Sequence, residues 1–386
     1  MNYLSATGVA TLGAGLIAIT YGLARFVFGL FLPVIRDDMT MSSTVAGLIG
    51  SLPFLSFIVA ILLAPRYTRL LGVRYAAFGA AGLALFGLST IASAPGPMTL
   101  ALGVLVCGIS TGLSTPVMAG VVHLCVRPEV RGRVNATINS GTSLGIALAM
   151  PAVLLLAGQW RLAYAGFALL AVAAVIATLL YLPGRVSSSN PSSSHSQDED
   201  RPGRKMARLC GLAAAMGLVS SVVWVFAPDA AIKQGGMQSS QTAWMWLAVG
   251  VAGLLGGFAG DLIDRYGSAV THASALAALS GAVGLLAIAP GSISLALLSV
   301  AVFGASYMIL SSFYLVQGTR LLPGKPTYGA VLPFLAVAGG QVAGSALAGI
   351  AIDSSGYQAA FSLYALLGIL VTGLSVPVAR LTGPAY

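Results

Sequence analysis

One arginine, Arg25, sits inside a long apolar run from Val9 to Ile35, with Tyr21 one helical turn before it. A guanidinium stays charged and presents a planar fork of donors, which suits two-point binding of a carboxylate or similar oxyanion. A helix over this run would be roughly 40 Å long, with Arg25 about 15 Å from its far end, near the middle of a bilayer. A charge there costs about 2.5–3.5 kcal/mol on insertion scales, so it needs a partner or a water-filled cavity. No Asp or Glu occurs at that depth in any apolar run. Two readings stay open. Either an anionic substrate supplies the counter-charge, or Arg25 is structural, snorkelling outward to Asp37 or Asp38 or pinning helix carbonyls.

Other side chains at similar depth could complete a small-molecule pocket: Ser114, Ser220, Trp224, Tyr307 and Gln341, together with Tyr21 and Arg25. Rings that stack and amides that hydrogen-bond are what such pockets use, although Ser and Gln also join helices in membranes. His123, His195 and His272 are isolated from one another, and Cys107, Cys125 and Cys210 show no metal or redox spacing. No metal and no cofactor is expected. An intramembrane enzyme would need clustered nucleophile, base or metal ligands, and no HExxH, GxSxG or Cys-His pattern occurs.

The elements that must position these residues follow from composition. The 386-residue chain is 57% hydrophobic and 8% charged, with a mean hydropathy of +0.92, too little polar surface to coat a soluble globule of this size. The apolar runs lack the alternation of barrel strands, so the expected fold is all-α, with twelve membrane-spanning helices. Six precede and six follow a Ser-rich stretch, VSSSNPSSSHSQDEDRPGRK, that cannot bury enough apolar area to fold. The expected organisation is therefore a bundle over 1–182, a linker over 183–207 and a second bundle over 208–386. The first run is too long for a cleaved signal and has no basic residue before Arg25, so it is expected to be retained. Trp244 and Trp246 read as anchors at the membrane boundary.

Fifteen of the nineteen basic residues fall at one end of these spans; Arg36, Arg161 and Lys233 fall at the other. Positive residues resist translocation, so both termini and the linker are expected to be cytoplasmic. The net charge of +9 is scattered over several loops, which argues against a nucleic-acid partner. The two halves echo one another: MTMSSTVAGLIG follows the first span, and MQSSQTAWMWLAVG follows the seventh.

With these residues in view, the chain resembles the major facilitator superfamily of secondary transporters. Its G-x-x-x-D-R-x-G turn is met by Gly260, Asp264, Arg265 and Gly267, and a degenerate copy by Ala64, Thr68, Arg69 and Gly72. RPEVRGRVNA (Arg127 to Ala136) resembles the family's basic loop, and GQWRLAY (Gly158 to Tyr164) its W-R start to the sixth helix. YGLARFVFGLFLPVIRDD is similar to bacterial permeases labelled cyanate-permease-like or sugar-efflux-like. The resemblance implies two pseudo-symmetric six-helix bundles and a gate at the second turn. There Asp264, or Asp261 one turn earlier, would pair with a nearby arginine such as Arg320. Gly141 and Gly145 form only a fragment of the antiporter motif, and Val104 stands where proton-relaying exporters carry arginine.

The expected activity is secondary transport of a small solute, an organic anion if Arg25 binds it, by alternating access across a bacterial inner membrane. The alternative is efflux of drugs or sugars with Arg25 structural. A small-molecule substrate and the bilayer are the expected partners, a coupling proton is a candidate third, and the protein is expected to act as a monomer.

Overall fold

The computed structural model describes residues 5–156, 158–183 and 203–380. The stretch expected to be the linker, with His195, lies outside the described residues apart from its margins. Among the described residues nine helices are long and apolar enough to cross a membrane. Three of them are each interrupted once by a glycine at positive φ: Gly72 (φ 76°), Gly267 (φ 78°) and Gly356 (φ 81°). Reading the interruptions as turns gives twelve segments: α1 (Ala6–Met39), α2 (43–71), α3 (73–92), α4 (Pro97–Cys125), α5 (Pro128–Leu156), α6 (Trp160–Tyr181), α7 (Arg204–Lys233), α8 (239–266), α9 (268–288), α10 (Ile293–Leu321), α11 (326–355) and α12 (357–380).

Local chemistry sets these boundaries. The Ser5 hydroxyl accepts from Gly8 N at 3.1 Å to start α1, and the Ser42 hydroxyl accepts from Val45 N at 3.2 Å to start α2. A reciprocal Gln238–Gln241 capping box starts α8. Gly72 and Gly267 have nearly the same dihedrals (ψ 164° and 160°) at the corresponding turn of each half, a conformation closed to most L side chains. The late glycine of the degenerate first copy is thus the residue that makes its turn. The helices also run past the apolar runs. Arg66 and Arg69 still belong to α2, and Asp261 to Tyr266 to α8, so the charged motifs lie on helix ends that precede the turn.

α1 is the most buried of the spans. Its middle, Ala18–Phe26, winds as a π-helix, whose wider turns leave carbonyls available to side chains. Thr111 of α4 uses one of them, donating to Thr20 O at 2.8 Å. Gly22 lies against Gly145 of α5, so a methyl group on either would strike backbone. This gives the Gly141/Gly145 pair its neighbour: both glycines face α1.

One end of the assembly carries the N-terminal start of α1 and the turns α2–α3, α4–α5, α8–α9 and α10–α11. It is the basic end. The expected boundary role of Trp246 is corrected here: its ring is fully buried, edge-on to Trp224 at 6.3 Å, whereas Trp244 remains about half exposed on the lipid side. Alternation on α8 separates them, since residues two apart on a helix face opposite sides.

Candidate substrate cavity

Arg25 lies within the π-turn of α1 and is 6% exposed. Four rings surround its guanidinium: Cζ is 4.4 Å from the Phe57 centroid, 4.7 Å from Phe54, 5.2 Å from Phe26 and 5.7 Å from Tyr21. Such contacts stabilise a cation by about 0.5–2 kcal/mol each, less than a carboxylate would. Its Nη2 donates to Gln341 Oε1 of α11 at 3.3 Å, and Nε is buried without a partner. None of the ion pairs among the described residues involves it. The snorkelling reading is corrected: Asp37 is held by Lys233 at 2.5 Å and Asp38 by Arg161 at 2.7 Å, both beyond the far end of the apolar core.

Arg25 caps a cavity of about 170 Å³. Its walls come from α1, α2, α4 and α5 of the first half and from α10 and α11 of the second. Of the expected pocket residues it is lined by Tyr21, Arg25, Tyr307 and Gln341. Gln341 spends both ends of its amide, accepting from Arg25 and donating from Nε2 to the Tyr307 hydroxyl at 3.1 Å. The Tyr21 hydroxyl accepts from Thr115 Oγ1 at 2.8 Å. Both phenol oxygens thus accept one hydrogen bond beside the guanidinium, and Tyr307 also hydrogen-bonds the lining residue Ser311. The remaining expected residues do not line it. Ser114 and Ser220 return their hydroxyls to Ser110 O and Gly217 O of their own helices, as buried helix serines commonly do. Trp224 stands behind the wall, with its ring 4.3 Å from Phe26 and 5.0 Å from Tyr307.

The cavity points one way. Relative to Arg25, the lining residues Ile17, Ile61, Asn139, Ser312, Leu315 and Phe334 all lie nearer the basic end of their helices. Apart from Arg25–Gln341, the side-chain hydrogen bonds joining the two halves among the described residues lie on the opposite side of Arg25. Asp229 of α7 is completely buried; its Oδ2 pairs with Arg36 Nη1 of α1 and accepts from the Tyr357 hydroxyl of α12 at 2.5 Å. Arg36 also donates to Tyr357 at 2.7 Å, and Lys233 of α7 crosses to Asp37. Asp353 lies past the apolar run of α11, in the turn before Gly356. It accepts from Ser43 N at 2.9 Å and Thr44 N at 2.7 Å, capping α2 across the halves. Beneath it Gly47 lets α2 touch the backbone of Ser345 and Gly349. Polar side-chain bonds latch the far end, and the cavity lies on the basic side of Arg25.

Burial pulls the Asp353 carboxyl upward, but hydrogen bonds from Thr44 and Ser43 outweigh this and hold it at about 2, below its ordinary 3.8. A carboxylate whose pKa is depressed by native contacts contributes fully above its free value and loses that contribution as pH falls through the depressed one. The cap should therefore hold the far end shut throughout about pH 5–8 and weaken only as pH falls below ~4. Spin-label distances between α2 and α11 measured across that range check this; opening near pH 6 in wild type but not in Asp353→Asn would contradict it.

At the basic end, Arg320 Nη2 of α10 lies 3.4 Å from Asp264 Oδ1 of α8, both well exposed. Asp261 is exposed one turn earlier, Gly260 has open space about it, and Arg265 lies over the Tyr266 ring at 5.4 Å. An exposed pair of this geometry contributes about 0–1 kcal/mol.

Asp229, Arg36, Tyr357 and Asp353 are not among the sequence candidates. Asp229 escapes notice because it follows Pro228, which reads as the end of a span, yet α7 continues through Pro228 to Lys233.

The family model described as "Major Facilitator Superfamily" matches residues 14–332. No curated protein shows a significant sequence match. The nucleoside transporter NupG, in a single-residue mutant form, superposes with a TM-score of 0.81 at 13% identity, covering 96% of this chain and 99% of that one. A bacterial homologue of the human lysosomal transporter Spinster, inward-facing and unoccupied, gives 0.71 at 16% identity, covering 98% and 96%. The human organic anion transporter MFSD10 gives 0.66 at 18% identity, covering 95% and 99%. At these identities the likeness is one of fold.

Proposed function

The chain belongs to the major facilitator superfamily of transporters, and from that premise we propose that it carries a small organic anion by alternating access, with Arg25 as the anion's partner. The observation that carries this reading is a mid-membrane guanidinium, unpaired by any described carboxylate, at the closed apex of a cavity shared by both halves. A shared fold does not choose among nucleoside, lysosomal and anion carriers; a buried cation with no counter-ion among the described residues supports the anion reading.

In this reading the molecule is in its inward-facing state. The basic end is cytoplasmic, both termini lie there, and the protein resides in a bacterial inner membrane. The halves, 1–182 and 208–386, rock about Arg25 with 183–207 as linker. Opening the far side means separating Arg36 from Asp229 and Asp353 from α2. Closing the basic side uses the turn of Gly260, Asp261, Asp264, Arg265 and Gly267 with Arg320. Ser114, Ser220 and Trp224 act behind the pocket as packing.

Solute uptake by the reconstituted protein tests this. Small carboxylates should enter proteoliposomes in a protein-dependent way while their uncharged amides do not. Equal movement of both would favour the drug or sugar efflux reading, with Arg25 structural.

A further inference from the structure

We infer that the solute held at Arg25 is a monoanion, a single carboxylate on a flat, apolar body of about one ring. This rests on the anion reading above and adds the number of charges and the shape.

The charge count comes first. Among the described residues Arg25 is the only charged side chain lining the cavity. One carboxylate neutralises it. A second would enter a space with no further cation to meet it, and an unpaired buried ion carries a penalty of several kcal/mol. Phosphate monoesters and dicarboxylates are disfavoured on that ground.

The polar groups at the apex then set the ligand's chemistry. Gln341 commits one lone pair to Arg25 and one N–H to Tyr307, which leaves it one lone pair and one N–H. The Tyr21 and Tyr307 hydroxyls accept from Thr115 and Gln341 and line the cavity next to the guanidinium. The guanidinium is the donor-only group at the apex, beside phenols and an amide that can both give and accept. A carboxylate is acceptor-only and matches that guanidinium.

Shape follows from what surrounds the apex. Phe26, Phe57, Tyr21 and Tyr307 wall the space beside Arg25, with Ile61 and Met308 further down. Flat apolar surfaces gain most against such rings. The cavity volume of about 170 Å³ is near the ~150 Å³ of an engineered cavity that admits one benzene. The cavity continues towards the basic end, which leaves room for a modest extension but not for a second charged pole at the apex.

The test is calorimetric titration of the full chain in lipid nanodiscs with benzoate, phthalate and benzamide. Benzoate should bind, with phthalate and benzamide each at least about tenfold weaker, and Arg25→Gln should lose benzoate. Phthalate binding as tightly as benzoate would overturn the monoanion inference and leave the anion reading standing. Benzamide equal to benzoate, or no binding by any of the three, would overturn both. Unchanged benzoate binding by Arg25→Gln would move the ligand away from Arg25 and overturn the assignment. The three-ligand comparison on wild type decides the charge question whether or not that variant folds.

Discussion

Replacing Arg25 with methionine should abolish carboxylate transport without lowering the melting temperature of the reconstituted protein. Truncating one partner of a buried charged contact costs about 2–5 kcal/mol, so affinity should fall by at least about thirtyfold. Stability should move the other way or not at all. The empty site buries a cation with only rings and one amide around it. Methionine fills similar volume, adapts to aromatic neighbours and removes the desolvated charge. Lost ring contacts and an orphaned Gln341 oxygen offset part of that gain. A second readout comes from the ligand itself, since a bound solute raises wild-type stability by RT ln(1 + [L]/Kd). That increment should vanish in Arg25→Met. A variant that melts well below wild type yet still transports would identify Arg25 as a structural pin.

Asp229→Asn should shift the conformational balance toward the far-side-open state. In the latched state Asp229 is fully buried and meets Arg36 and Tyr357 through a single oxygen. Removing one charge of a buried pair leaves the other uncompensated, a loss of about 3–5 kcal/mol, reduced here because Asn still accepts hydrogen bonds and Arg36 is partly exposed. Even about 1.4 kcal/mol changes the population ratio tenfold. Cysteine accessibility at the exposed Gln234 and Ser240, flanking the α7–α8 turn, together with spin-label distances from α1 to α7, reads the shift. Converting both Arg36 and Asp229 to leucine should restore much of the closure, because a well-packed apolar pair replaces a buried ionic one at little cost. Closure unchanged in Asp229→Asn would remove this network from the gate.

The helical class and its long apolar spans were legible because they depend on local composition, and Arg25 stood out as one charge out of place. The pocket was half legible. Depth along a helix can be counted from sequence, and Tyr21, Tyr307 and Gln341, chosen for their depth, line one cavity with Arg25. Facing direction cannot be counted when α1 winds through a π-helix, since each residue is then rotated from its α-helical position. Ser114 and Ser220 show the limit: they have the right depth, but their hydroxyls return to their own helices. The latch was illegible for a different reason. Arg36 is 193 residues from Asp229 and 321 from Tyr357 and meets them only because the halves close, a pairing that no local pattern encodes. A proline hid the acid, and an exposed-looking turn hid the tyrosine.

The central claim is that a carboxylate lies against Arg25. It is tested most directly by solid-state NMR of the full chain in lipid, with ¹⁵N-labelled arginine and benzoate labelled with ¹³C at the carboxyl carbon. Hydrogen bonds of 2.7–2.9 Å from a guanidinium to a carboxylate place the labelled carbon about 4 Å from its nitrogens. The account predicts dipolar dephasing at that distance in wild type and its loss in Arg25→Lys. Bound benzoate that shows no such coupling to arginine, or a coupling that survives in Arg25→Lys, would contradict it.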